Sequence, residues 1–153
     1  MSILPRIVLP GAACLLVLLA AGCGGGSGVG KTYPVAGKVT LNGQPVVSKS
    51  AVIQFKPDAA KGNTSPFEPA GGVDDGGNYT LTTNGQRGAP AGWYKVIVTA
   101  VEAPAPPAGK KPLTHRPEPK SLIPSKYAQE KFTIGVEVVE RPAAGAYDLT
   151  LTD

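Results

Sequence analysis

The residues able to do chemistry are few. Asp74 and Asp75 stand side by side in "VDDGGNY", His115 is the single histidine, and Trp93 is the single tryptophan. Adjacent carboxylates suggest a cation, but an EF-hand loop needs oxygen ligands at alternating positions and a glutamate closing the twelfth. Residues 79–84 supply no such carboxylate, so the stretch reads as a turn in which Asp and Gly provide the backbone angles. A zinc site needs three or four nitrogen, sulfur or carboxylate ligands, and one histidine does not make a set. Ser121 or Ser125 could pair with His115 as a nucleophile, but no G-x-S-x-G turn is present and the histidine stands in a proline-rich stretch. Neither catalytic residues, a metal nor a cofactor is expected.

Binding chemistry has better candidates. Lys110, Lys111 and Arg116, with Lys120 nearby, flank His115 and could meet an anionic surface such as lipid headgroups or acidic polysaccharide. A charge run of this kind also reads as a solvated loop. Trp93 falls on the outward phase of its segment, where an indole can stack on sugar or pack against a neighbouring loop. The net charge of +4 is mild, and no cluster of Arg and Lys interleaved with aromatics points to nucleic acid.

The elements that must carry these residues are strands. Twenty glycines and sixteen prolines in 153 residues disfavour long helices. Apolar residues instead recur with period two. Val35, Val39 and Leu41 oppose Lys38, Thr40 and Asn42, and Ile53 and Phe55 oppose Gln54 and Lys56. Tyr79 and Leu81 oppose Thr80 and Thr82, while Tyr94, Val96 and Val98 oppose Lys95 and Thr99. Phe132, Ile134, Val136 and Val138 face away from Thr133 and Glu137, and Tyr147, Leu149 and Leu151 from Asp148, Thr150 and Thr152. Such alternation means strands with one buried face. With a short segment at 70–73 there are about seven, which predicts an all-β, two-layer antiparallel sandwich. Asn42-Gly43 is expected to turn the chain through positive φ. Residues 58–69 read as a polar, mobile loop, and residues 102–120, with six prolines, as an extended excursion. The excursion rejoins the fold at "SLIPSKYAQ", expected to tuck Leu122, Ile123 and Tyr127 onto the sandwich edge.

The amino-terminal stretch has a different order. Arg6 precedes an apolar run from Ile7 to Leu19, then the small residues Ala20, Ala21 and Gly22, then Cys23 and a run of glycines. A membrane-spanning helix needs about 20 apolar residues, and this shorter run is interrupted by Pro10 and Gly11. The order is that of an export signal. Leu19-Ala20-Ala21-Gly22-Cys23 resembles a bacterial lipobox, although Ala20 stands where leucine is commoner. The resemblance implies cleavage before a diacylated Cys23 and membrane attachment through it; if the envelope is Gram-negative it implies the outer membrane, because Gly24 is not aspartate. Plain secretion is the alternative. On this division residues 1–22 are the signal, 23–32 the lipidated cysteine and a glycine-rich tether, and 33–153 one domain of charge near +3 once Arg6 is lost. Cys14 leaves with the signal, so no thiol remains to form a disulfide.

Within that domain Gly37, Val39, Gly43 and Pro45 follow G-x-V-x-x-x-G-x-P. Asp74, Gly77, Tyr79 and Leu81 follow D-x-x-G-x-Y-x-L, and Gly92, Tyr94, Val96 and Val98 follow G-x-Y-x-V-x-V. Together they resemble the carboxypeptidase regulatory-like, transthyretin-like domain of small bacterial lipoproteins over nearly all of residues 33–153. The resemblance implies a fold and an accessory role, not an activity. Hydroxyisourate hydrolases share the transthyretin-like fold but rely on several histidines and a characteristic C-terminal tetrapeptide, neither present here. The sequence therefore leads to the expectation of a non-catalytic, membrane-attached envelope module that touches envelope protein or polysaccharide. The alternative is a carbohydrate-binding module in which Trp93 and residues 58–69 form a platform.

Overall fold

The computed structural model describes residues 28–102, 119–132 and 134–153. The described chain is an all-β sandwich of two sheets. Its strands are β1 (Ala36–Leu41), β2 (Gln44–Pro45), β3 (Val52–Pro57), β4 (Ala70–Gly72), β5 (Asn78–Thr80), β6 (Thr82–Thr83), β7 (Gln86–Arg87), β8 (Gly92–Thr99), β9 (Ile134–Val138) and β10 (Leu149–Leu151). The strands of three or more residues match the segments expected from alternation, β6 is the second half of one of those segments, and the two-residue β2 and β7 are additions. In the larger sheet the order is β7-β6-β4-β3-β8-β9. The smaller runs β10-β1-β2, with β5 also paired to β1.

Alternation works as expected in most strands. Ile53, Phe55, Tyr94, Val96, Val98 and Val138 of the large sheet are buried against Val39, Tyr79, Leu149 and Leu151 of the small one. The Phe55 and Tyr94 rings lie 5.7 Å apart at 42°, the tilted contact that aromatic quadrupoles favour. Asn42 and Gly43 both take positive φ, 50° and 81°, and fold β2 back on β1.

Four features differ from the expected pattern. Phe132 belongs to a 3₁₀ turn, Glu130–Phe132, and β9 begins only at Ile134. Leu122 is exposed, whereas Ile123 and Tyr127 are buried in the core as expected. The strand expected through 78–83 divides, because β5 pairs with β1 and β6 pairs with β4, so the chain changes sheets at the fully buried Leu81. Finally, β1 and β10 are parallel, with Val39 beside Leu149 and Leu41 beside Leu151. Hairpins force neighbours to be antiparallel, but the first and last strands are joined by the whole domain and are free of that constraint.

Tyrosine hydroxyls tie irregular chain to the sheets. Tyr79 donates to the Tyr147 carbonyl at 2.6 Å, Tyr94 to the Pro90 carbonyl at 2.9 Å, and Tyr127 to the Thr152 carbonyl at 3.0 Å. Burial, reinforced by Asp148, pushes the Tyr79 hydroxyl far above its ordinary pKa, so it remains a donor. Gly37 lies under this contact, and a Cβ there would collide with the Tyr147 carbonyl. The docked chain also reaches back into the expected tether. Val29 is 8% exposed, and the Thr32 hydroxyl donates to the Arg87 carbonyl at 2.9 Å.

Two substitutions separate packing from hydrogen bonding. Phe55→Ala is expected to cost about 3–5 kcal/mol in urea unfolding, as a large buried ring is deleted. Tyr79→Phe is expected to cost about 1–3 kcal/mol, because the Tyr147 carbonyl loses its buried donor. A Tyr79→Phe variant as stable as wild type would refute the role of the hydroxyl.

Candidate functional site

Trp93 lies on β8 with its side chain on the outward face of the large sheet, as its strand phase predicts, while Tyr94 points into the core. Its backbone carbonyl is the anchor for residues 58–63. The Asp58 N–H donates to it at 3.0 Å and the Asn63 side-chain amide at 2.8 Å. Asp58 then caps the 3₁₀ turn Ala59–Lys61, its carboxylate accepting from the Ala60 N–H at 3.2 Å and its carbonyl from the Lys61 N–H at 3.0 Å. Asn63 accepts from the Ser65 N–H at 3.1 Å. Asp58 and Asn63 are both buried. This end of the segment expected to be a mobile loop is thus pinned to the strand that carries the indole.

The pinned turn delivers Lys61. Its Nζ stands 3.7 Å from the centre of the Trp93 ring. An exposed cation–π contact of this kind contributes about 0.5–1 kcal/mol. Gly135 on β9 is the neighbour on the other side, since a Cβ there would meet the same Nζ at 3.4 Å. The register completes the surface. Glu137 lies opposite Trp93, Gly135 opposite Lys95, and Lys56 opposite Lys95. Lys95 Nζ is 3.9 Å from the Asp58 carboxylate, and Lys56 pairs with Glu130. That pairing raises the pKa of Lys56 and lowers that of Glu130, the hydrogen bond between them being the largest cause in each.

Asp74 does something else. Its Oδ1 accepts from the Gly76 and Asn78 N–H groups, both at 2.8 Å, and the Asn78 amide reaches both carboxylate oxygens at 3.1 Å. These bonds, Asn78 first, hold its carboxyl below the usual aspartate value. The carboxylate is a turn organiser, as its sequence suggested, at the rim of an open depression of about 260 Å³ lined with Gly72, Asn78, Tyr79 and Thr80. The Ser121 hydroxyl donates to the Ile123 carbonyl at 2.7 Å. Among the described residues, no three His, Cys, Asp or Glu side chains are grouped to hold a metal ion, and no helix is long and apolar enough to cross a membrane. Cys23, Lys110, Lys111, His115 and Arg116 lie outside the described residues.

Of the proposed contact residues, therefore, Trp93 is the one the structure places, and it brings residues 58–63 to it. Lys61, Asn63 and Glu137 were not singled out by the sequence. Asp58 and Gly62 bracket a recognisable turn, but no local pattern says which ring Lys61 covers. No known protein family, curated protein or solved structure matches the chain.

Two outcomes are expected. In Lys61→Met, acrylamide quenching of the single tryptophan should rise while unfolding free energy falls by no more than about 1 kcal/mol. Unchanged quenching would mean that the ammonium does not cover the ring. Asp74→Ala should lower the melting temperature at neutral pH. Because its folded-state pKa is depressed, that contribution is complete above the ordinary value of 3.8 and disappears as pH falls through the lower folded value. Melting curves of wild type and variant should therefore converge below pH 3.8; a constant gap would sink the assignment.

Proposed function

We propose that the chain is a non-catalytic, lipid-anchored module of the bacterial cell envelope, with a binding or structural role. Acylated Cys23 ties it to the membrane, and the β-sandwich presents its outer face to envelope protein or polysaccharide. The observation that carries the binding reading is the surface around Trp93. A partly buried indole is held by a turn hydrogen-bonded to its own backbone, which is how a contact surface is kept in one shape. The resemblance to carboxypeptidase regulatory-like domains belongs to the same proposal. Its motif residues Val39, Tyr79, Leu81, Tyr94, Val96 and Val98 are core, and Asp74 and Gly43 are turn residues, which suits a structural scaffold more than a reaction centre.

A carbohydrate-binding module is the second reading. It is favoured by the junction of Trp93 with residues 58–63, the two parts such a platform requires. A glycan array comparing wild type with Trp93→Ala separates it from a protein-binding or purely structural role. Binding lost in the variant supports the sugar platform; no binding, or binding indifferent to the change, removes it.

The anchor has its own test. Intact-mass measurement on protein extracted from its native membrane should find a chain beginning at Cys23 with added acyl mass, absent from Cys23→Ala. An unmodified chain cut elsewhere would make this a secreted domain and overturn the proposal.

A further inference from the structure

We infer that the face around Trp93 is a site for a carboxylate-bearing sugar, with the indole as the stacking surface and Lys61 and Lys95 as the groups that hold the carboxylate. The inference rests on the carbohydrate reading of this site and adds the charge class of the ligand.

Three features point to an anion. Lys61 has no carboxylate within ion-pair distance among the described residues; its ammonium lies over the π face of Trp93. Lys56 and Lys95 are directly opposed across β3 and β8, an arrangement of like charges that destabilises a sheet. The carboxylate nearest Lys95, Asp58, is 3.9 Å away, buried, and already accepting from the Ala60 N–H. Lys56 is compensated by Glu130, but among the described residues Lys61 has no carboxylate and Lys95 only the long contact with Asp58, so an anion between these two completes them.

The neighbouring groups select a sugar acid from among anions. An indole offers a flat apolar face to the C–H face of a pyranose ring, and a few polar groups around it set orientation. Gly135, opposite Lys95 in register, adds no side chain of its own, and the Lys61 Nζ lies where a larger residue would touch it. Glu137, opposite Trp93, is an acceptor for hydroxyl groups. The sugar ring takes the place of the Lys61 ammonium on the indole. That ammonium, on a flexible stem, turns to the carboxylate and exchanges a cation–π contact for a charge-assisted hydrogen bond.

Trp93 is the single tryptophan, so its emission reports on this site alone. The full chain carrying Cys23→Ala, with no acyl anchor, is titrated with tetragalacturonate, maltotetraose and phosphatidylglycerol vesicles. A saturable emission change is expected with tetragalacturonate and none with maltotetraose. Lys61→Gln and Lys95→Gln should each weaken binding by about two- to fivefold, the share of an exposed ion pair. The same melting temperature in both variants would show that the fold is intact. Maltotetraose binding as tightly as the acid, or Lys61→Gln without effect, would overturn the charge assignment and leave the carbohydrate reading standing. No response to either sugar would overturn both. A response to vesicles but not to tetragalacturonate would assign the lysines to lipid headgroups and overturn the inference.

Discussion

The small sheet depends on β1. One strand of six residues has β10 beside it through Val39 to Leu41, β2 folded onto it at Thr40 and Leu41, and β5 paired with Ala36 to Lys38. None of these partners is longer than three residues, so none makes a ladder of its own. What holds them at the right distance is the contact of the Tyr79 hydroxyl with the Tyr147 carbonyl, closed over Gly37. It joins three distant parts of the chain in the core, where an unpaired carbonyl is costly. In a domain expected to lack disulfides, tyrosines do this fastening: Tyr94 and Tyr127 repeat it elsewhere, each spending its one donor on irregular backbone.

The same economy shapes the outer face. The Trp93 carbonyl accepts both the Asp58 N–H and the Asn63 amide, so the turn that positions Lys61 is built on the backbone of the residue it covers. The backbone of Lys61 is thereby fixed beside the ring, while its ammonium remains on a flexible stem. The charges behind them follow from strand register: Lys56, Lys95 and Gly135 share one row, and Trp93 and Glu137 share the next. The large sheet thus has an inner face decided by hydrophobic burial and an outer face whose chemistry is decided by which rows happen to align.

Most of the architecture was legible in the sequence because period-two burial is a local signal. The inward residues of β3, β8 and β10 are those that alternation selects, and Asn42-Gly43 turns as that dipeptide should. The same dipeptide at Asn84-Gly85, also at positive φ, joins β6 to β7 and was there to be read. What was not legible is pairing at long range. Alternation cannot say that residue 81 passes from one sheet to the other, nor that β10 runs parallel to β1, since a side chain's inward phase is the same in either direction. The outward phase of Trp93 was readable, but Lys61 is 32 positions away in a single 3₁₀ turn, and its contact depends on hydrogen bonds that no periodicity encodes.

The parallel pairing of β1 with β10 has a mechanical consequence. The chain enters β1 at Ala36 and leaves β10 at Leu151, at opposite ends of two neighbouring strands. Tension between the segment before Ala36 and the segment after Leu151 therefore draws the two strands past each other along their length. Their cross-strand hydrogen bonds share the load at once, in shear, where an antiparallel pair pulled from one end would open like a zip. Stretched in this direction, the domain resists rupture as a clamp, even though that clamp is only three residue pairs long.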